Sequence, residues 1–450
     1  MMDLDPVLMS RLLTTITLVF HIIFATLGVG VPLMISIAEF IGIKKKDPHY
    51  IMLARRWARG FIIPVAIGVV TGTAIGLQLS LLWPEFMQLG GNVISLPLFM
   101  EVFAFFFEAI FLGIYMYTWD RFKNQMTHWW LSLPIVIGGG LSAFFITTVN
   151  AFMNTPEGFK IGKNGFAAIN PLETMFNPAT PTKVFHVLTS AYLTVAAILA
   201  AFAAFGLLRK KTREYHKKAL KLTVTLTFIF AIFTAIAGDV SAKFLAEYQP
   251  EKLAAAEWHF ETEKNADLIL FGWLNEDNEP TGVIRFPSLL SFLAFSDFDA
   301  EVIGLEEFPE EERPPLWIHY MFDLMVIIGF FLLGVSFLYL ILSKLKRWNE
   351  NNKFMLWLLI LSGPLAMLAI EFGWIYAEEG RQPWILRGYM TVEEAATTSP
   401  YVGWMFILFL LLYITLGVIG VVVLRKLFKN NPVEDELEKK YPSIEKGDNQ

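Results

Sequence analysis

The sequence predicts an all-α integral membrane protein, a bundle of about nine transmembrane helices, and three observations carry that prediction. Only 17% of the 450 residues are charged and 55% are hydrophobic, whereas soluble domains carry about 25% charged residues. The 41 Phe and 13 Trp suit lipid-facing surface and interfacial belts. Nine apolar runs reach the length of about 20 residues that crosses the hydrocarbon core.

Taken in order, the runs fall at 12–38, 58–82, 94–118, 129–151, 184–208, 220–245, 316–343, 353–377 and 401–424. The start, MMDLDPVLMSR, is acidic, and no small-residue cleavage site follows the first run, so that run reads as a retained span and not a signal peptide. The seventh, PLWIHYMFDLMVIIGFFLLGVSFLYLILSK, holds a single acid. Charge sets the direction. KKKDPHYIMLARRWARG, RKKTREYHKKALK, SKLKRWNENNK and LRKLFK follow spans one, five, seven and nine, and RFKNQ after span three is weakly basic. The positive-inside rule then puts the N-terminus outside and the C-terminus in the cytoplasm.

The organisation that follows is 1–245 for helices one to six, 246–315 for an extracellular loop, 316–429 for helices seven to nine, and 430–450 for a cytoplasmic tail expected to be disordered. The loop carries 17 acids against 4 bases. A loop of that length without its own core is unusual and often functional, and a solvated acidic surface loop is the plain alternative.

Composition excludes several classes. A net charge of -6 and the lack of a basic stripe give no support for nucleic acid. The chain has no cysteine, which removes iron–sulfur clusters, thiolate-ligated or covalently attached haem, and disulfides. A metal centre must draw on His, Met or carboxylate. The glycine-rich GVGVP and GGGLS segments lie within spans with no strand before them, so they serve close helix packing or cofactor approach and not phosphate binding.

Ionisable groups at membrane depth are costly and face a cavity, a partner or a cofactor. His21, His186, Glu101, Glu108, Glu378 and Glu379 stand in or at the ends of spans, with Met325 and Asp323 early in span seven. Counted from the outer boundary, all sit in the outer half or near the midplane. Taken singly, each has a structural reading: a packing histidine, a gap-filling methionine, an interfacial ion pair of Glu378 and Glu379 with Arg381. Glu101 and Glu108 are seven residues apart, close to two helical turns, so both project from nearly one face about 10 Å apart. No Lys or Arg stands near them in that span, and such a pair suits proton relay.

With these residues gathered, the chain resembles subunit I of the cytochrome bd family of bacterial quinol oxidases. The resemblance covers span count, direction and the long loop, and GWIYAEEGRQPW at 373–384 is its most specific element, matching GWxxxExGRQPW; WDRF at 119–122 and MNTPEG at 153–158 also fit. It implies a terminal oxidase of the bacterial plasma membrane that takes electrons from menaquinol or ubiquinol at the outer face and reduces dioxygen with protons from the cytoplasm. It implies His186 and Met325 as axial ligands of a low-spin haem b558, and His21 and Glu378 as ligands of the high-spin haem b595 and haem d, with the assignment between those two open. Arg381 is implied to offset carboxylate or haem propionate charge, and Glu101 and Glu108 to touch haem and deliver protons. Lys252 and Glu257 are implied to contact quinol in a loop of the short branch. Partners implied are subunit II and a small single-span subunit. One departure stands out: the family often has an arginine two residues before the ligand methionine, and here Asp323 takes that place. The rival classes are an ion- or proton-coupled transporter without haem, whose buried acids look similar, and a haem-free subunit that holds a partner.

Overall fold

Nine helices long and apolar enough to cross a membrane are found among the described residues, which in the computed structural model are 5–162, 165–209, 213–276, 278–345 and 352–442. They are α1 (Pro6–Lys45), α2 (Pro48–Leu82), α3 (Pro84–Thr118), the broken pair α4 (Gln125–Trp129) and α5 (Ser132–Asn154), α7 (Thr180–Leu208), α8 (Arg213–Tyr248), α11 (Ile318–Lys344), α12 (Lys353–Glu379) and α14 (Val402–Asn430). The expected spans coincide with these helices, the seventh and ninth starting just ahead of α11 and α14, and most of the helices extend beyond the hydrocarbon length. Span four differs: the chain breaks at residues 130–131 before α5 begins.

Local chemistry starts and stops the helices. Asp5 accepts hydrogen bonds from the backbone of Val7 and Leu8 at the head of α1, and Asp47 does the same for His49 at the head of α2. Pro6, Pro48 and Pro84 each stand in the first turn, where a missing N–H costs nothing. Between helices the contacts are made by small residues, as packing in lipid requires. Ala196, Ala197, Ala200, Ala203 and Ala204 of α7 are buried. A Cβ at Gly30 of α1 would fall 2.3 Å from Val195 Cγ2 of α7, so these two backbones approach as closely as they do only because residue 30 has no side chain.

Between α8 and α11 lies a folded segment. It holds α9 (Pro250–Glu257), α10 (Leu289–Phe295) and three short antiparallel ribbons: β3 (Glu263–Lys264) with β8 (Glu301–Val302), β4 (Leu268–Leu270) with β7 (Ile284–Phe286), and β5 (Trp273–Leu274) with β6 (Pro280–Thr281). This corrects the expectation of a loop lacking a core: Leu253, Ala266, Leu290, Ala294 and Val302 bury together against Ala246 of α8. Two buried residues of α11 tie the segment down. His319 bonds Ala256 O at 2.6 Å and stacks on Trp258, while Asp323 accepts from the Phe271 backbone at 2.7 Å. Smaller pieces complete that end: β1 (Lys160–Gly162) with β2 (Gly165–Ala167), α6 (Pro171–Met175), β9 (Trp384–Leu386) with β10 (Met390–Thr391), and α13 (Val392–Ala395).

Arg11 near the head of α1 bonds Glu379 at the end of α12 at 2.9 Å, so the N-terminal end of α1 lies on the face that carries the folded segment. The tail departs from expectation. Residues 433–440 form α15 (Val433–Lys440), with Glu436 paired to Arg56 and Arg59 of α2 and Lys440 to Asp120. The acids that read as solvated in sequence find those bases at the end of α2; residues 443–450 lie outside the described residues.

Candidate functional site

Helices α7, α8, α11 and α12 line a cavity of about 210 Å³ beneath the folded segment. His186 and Met325 line it, with Gly238, Gly329, Gly373 and Trp374. The glycines make a cradle. A Cβ at Gly373 would come within 2.9 Å of Met325 Sδ, one at Gly238 would reach 4.0 Å from His186 Cε1, and one at Gly329 would meet nothing within 4 Å. The Nδ1 of His186 has no hydrogen-bond partner among the described residues. An imidazole and a thioether opening on one largely apolar space form the donor set of a His/Met haem site, so these residues fit that group.

At its loop end the cavity turns polar, with Lys183, Lys252, Asn150 and Gln249 in its lining. Glu378 lies just beyond. Its Oε1 accepts from Asn150 Nδ2 at 2.5 Å and its Oε2 from Arg381 Nη2 at 2.7 Å, while Lys183 Nζ donates to Asn150 Oδ1 at 2.7 Å. Arg381 is buried, and its Nη1 meets no acceptor among the described residues. A carboxylate has about four lone-pair positions, so Glu378 is oriented by two donors with acceptor capacity left over. The structure therefore brings Glu378, Arg381 and the mouth of the His186–Met325 cavity together.

His21 stands apart on α1. Its Nδ1 lies 2.8 Å from Thr71 Oγ1, and that hydroxyl donates to the Ile67 carbonyl at 3.0 Å. With its proton used there, Thr71 accepts from Nδ1–H, which leaves Nε2 bare for a metal, the usual outer-shell arrangement for a ligand imidazole. Gly72 gives the ring room, since a Cβ there would lie 3.2 Å from His21 Cε1. Two turns along the same face, a Cβ at Gly28 would meet nothing within 4 Å. This residue set also fits a haem ligand.

Glu101 and Glu108 both face α5, as their spacing predicts. Glu101 accepts from Ser142 Oγ at 2.9 Å. Glu108 is 3% exposed, its Oε1 has no partner among the described residues, and a Cβ at Gly138 would fall 2.8 Å from its own Cβ. The GGGLS segment thus serves close packing around that carboxyl.

Lys252 and Glu257 are both buried on α9, facing the end of α12. Lys252 Nζ donates to Ala377 O at 3.0 Å and lies over the Tyr376 ring. Burial first, then the nearby Arg381 charge, lowers its pKa to about 7. Burial first, then Asp323, pushes Glu257 up to about 8, and Glu257 Oε2 is unpartnered among the described residues. Glu251 on the same helix grips Arg387 through two bonds of 2.7 and 2.9 Å, fixing α9 to the turn just past β9.

Sequence reasoning missed Thr71, Asn150, Lys183, His319 and Glu371. Lys183 and Glu371 carried a visible signal, a charge at the head of span five and an acid inside span eight. Thr71 and Asn150 carried none, because a threonine or asparagine in a span becomes informative only once its neighbour is known.

Comparison with known proteins identifies the family of the chain. The cytochrome bd terminal oxidase subunit I family matches residues 9–432. The chain is 41% identical over 442 residues to the putative cytochrome bd menaquinol oxidase subunit I of Bacillus subtilis, with 96% of this chain and 99% of that protein covered. It is 30% identical over 449 residues to the cytochrome bd ubiquinol oxidase subunit 1 of the same organism, covering 96% and 95%. Among solved structures, the bd oxidase from Geobacillus thermodenitrificans aligns with a TM-score of 0.92 and 60% identity over 96% of this chain and all of that one. The chain belongs to the cytochrome bd terminal oxidase subunit I family.

Proposed function

We propose that this chain is the haem-carrying catalytic subunit of a quinol:oxygen oxidoreductase in a bacterial membrane, working with a subunit II and a small single-span subunit. The observation that carries the reading is His186 and Met325 opening on one cavity whose loop end is lined by Lys252 of α9. His186 and Met325 would hold the low-spin haem b558, and His21 and Glu378 the haem b595 and haem d. Haem, when bound, supplies the one-electron and oxygen chemistry.

The residues of the chain supply the rest. Lys252, fixed on Ala377 O, offers a cation to a quinol oxygen, and Glu257, with a free buried oxygen, accepts the proton that quinol loses. Arg381 and Asn150 orient Glu378. Glu108 and Glu101 carry protons along α3 from the face opposite the folded segment. Lys44, Lys45, Arg55, Arg56 and Arg59 cluster at that opposite end of α1 and α2, which by the positive-inside rule makes it cytoplasmic. Release on one face and uptake from the other stores energy, about 2.3 kcal/mol per charge at 100 mV.

The test is the visible spectrum of the purified, dithionite-reduced protein, alone and as His186→Ala. Haem bands are expected, and the alanine variant loses the low-spin band together with quinol oxidation. A folded, colourless protein supplied with haem overturns the reading and favours a transporter.

A further inference from the structure

Glu371 sits inside α12, in the run LAIEFGW, and no role described above uses it. It is 8% exposed, and neither carboxyl oxygen meets a hydrogen-bond partner among the described residues. Two contacts set the register of α12 against its neighbours: Arg11 of α1 bonds Glu379, and Asn150 of α5 bonds Glu378. Counted from there at 1.5 Å per residue, Glu371 lies about 10 Å deeper than Glu378. Ser142, the donor to Glu101, lies about 12 Å below Asn150 on α5, and His21 about 15 Å below Arg11 on α1. Residues from four helices therefore reach one layer: Glu371 on α12, Ser142 with Glu101 on α5 and α3, and His21 on α1.

The facing is equally specific. Glu371 and Glu378 are two turns apart on one face of α12, whereas Ala366, Ile370, Gly373 and Ala377, which line the His186–Met325 cavity, are turned about 100° or more from Glu371 around that helix, with Trp374 between the two faces. Asn150 and Arg11 meet the last turn of α12 from α5 and α1, so the face shared by Glu371 and Glu378 lies toward the helices that carry Ser142, the donor to Glu101, and His21. A carboxylate in hydrocarbon with neither cation nor donor is strongly disfavoured, and a proton on it removes that cost.

We propose that Glu371 is a proton-holding residue of the oxygen-reducing side, loaded from the Glu108–Glu101 line and placed at the depth of His21. This rests on the quinol oxidase reading. In each use the carboxylic acid gives one proton to the oxygen undergoing reduction, and the resulting carboxylate is reloaded by one proton from the opposite face. Two quinols supply the four electrons that one dioxygen takes with four protons. The neutral acid holds its proton where a permanent ion pair cannot, which explains why no basic partner stands beside it among the described residues.

The test is the reduced-minus-oxidised infrared difference spectrum of the whole oxidase in the carboxylic C=O region, with the visible spectrum recorded on the same sample. A protonated glutamic band is expected that survives Glu101→Gln and Glu108→Gln and disappears in Glu371→Gln. Quinol-driven oxygen consumption in Glu371→Gln is expected to fall at least 10-fold with the low-spin band intact, since positioned proton transfer contributes about 100-fold or more, and Glu371→Asp is expected to restore part of both. The proposal fails if Glu101→Gln and Glu108→Gln together empty that spectral region, a result that does not depend on how the Glu371 variants fold. It also fails if Glu371→Gln keeps every band or the full turnover rate. Absence of haem bands from the unaltered protein would instead overturn the oxidase reading, so the two failures are distinct.

Discussion

Alanine at position 373 tests whether the approach of α12 to Met325 is set by a missing side chain. The added Cβ would lie 2.9 Å from Met325 Sδ and 3.8 Å from its Cγ. Favourable contacts between such atoms fall near 3.5–4.0 Å, so the sulfur must retreat by about 0.6–1 Å. Overpacking of that kind costs about 1–3 kcal/mol, against a helix-propensity gain of about 1 kcal/mol for Ala over Gly. The net expectation is a loss of up to about 2 kcal/mol. Gly113→Ala on α3 is the control, because a Cβ there meets nothing within 4 Å and only the gain applies. Both variants are unfolded thermally in one detergent, and their reduced spectra are compared. Gly373→Ala should melt below the parent with a perturbed low-spin band, and Gly113→Ala should melt at or above it with the band unchanged. If Gly373→Ala matches Gly113→Ala in stability and keeps the parent band, Met325 does not lie against that glycine as described.

Two further expectations follow from the site. Thr71→Val removes the acceptor for His21 Nδ1–H, and loss of such an outer-shell partner costs about 10–100-fold in metal affinity; haem retention on the high-spin side should drop while the His186 band stays. The residues proposed to meet quinol, Lys252 and Glu257, give a pH profile whose sign follows from their burial. Below about 8 Glu257 keeps its proton and cannot accept another, so turnover rises toward that value. Above about 7 Lys252 loses the cation that holds the substrate, so turnover falls. The product is a bell centred between these values. Glu257→Gln should remove the rising limb at a reduced rate, and a rising limb that persists in that variant refutes the assignment.

Membrane depth was the most legible property of this chain. An apolar run of 20 residues has few alternatives in lipid, so the spans could be read from hydropathy, and an ionisable group inside one is conspicuous by its cost. His21, His186 and Glu108 were found that way. Lateral position was not legible. That Glu378 meets Asn150 and Lys183, or that His21 meets Thr71, depends on which helices are neighbours, and hydropathy carries no such information. The core of the segment after α8 was not legible for a related reason. Its charges suggested a solvated loop, yet a handful of dispersed apolar residues, Leu253, Ala266, Leu290 and Val302, suffice to fold it once His319 and Asp323 anchor it from α11. The tail was misread because Glu436 looked solvated until α2 supplied Arg56 and Arg59.

The end of α12 explains why one twelve-residue stretch is so distinctive. A helix turns 100° per residue, so consecutive residues face different compartments. Gly373 and Ala377 face the cavity of His186 and Met325, where the first must be small to admit the sulfur. Tyr376 carries Lys252 over its ring, and the Ala377 carbonyl accepts from that lysine, so this turn also seats α9. Glu378 faces α5 and takes Asn150, and Glu379 faces α1 and takes Arg11. Arg381, just past the helix end, folds back onto Glu378. Each residue in the turn thus has a separate neighbour, and a register shift of one residue would misplace all of them at once. That requirement confines the chemistry to a rigid helix end and not to a loop, and it predicts that insertion of a single residue between Ala369 and Gly373 abolishes both haem environments together while leaving the nine spans inserted.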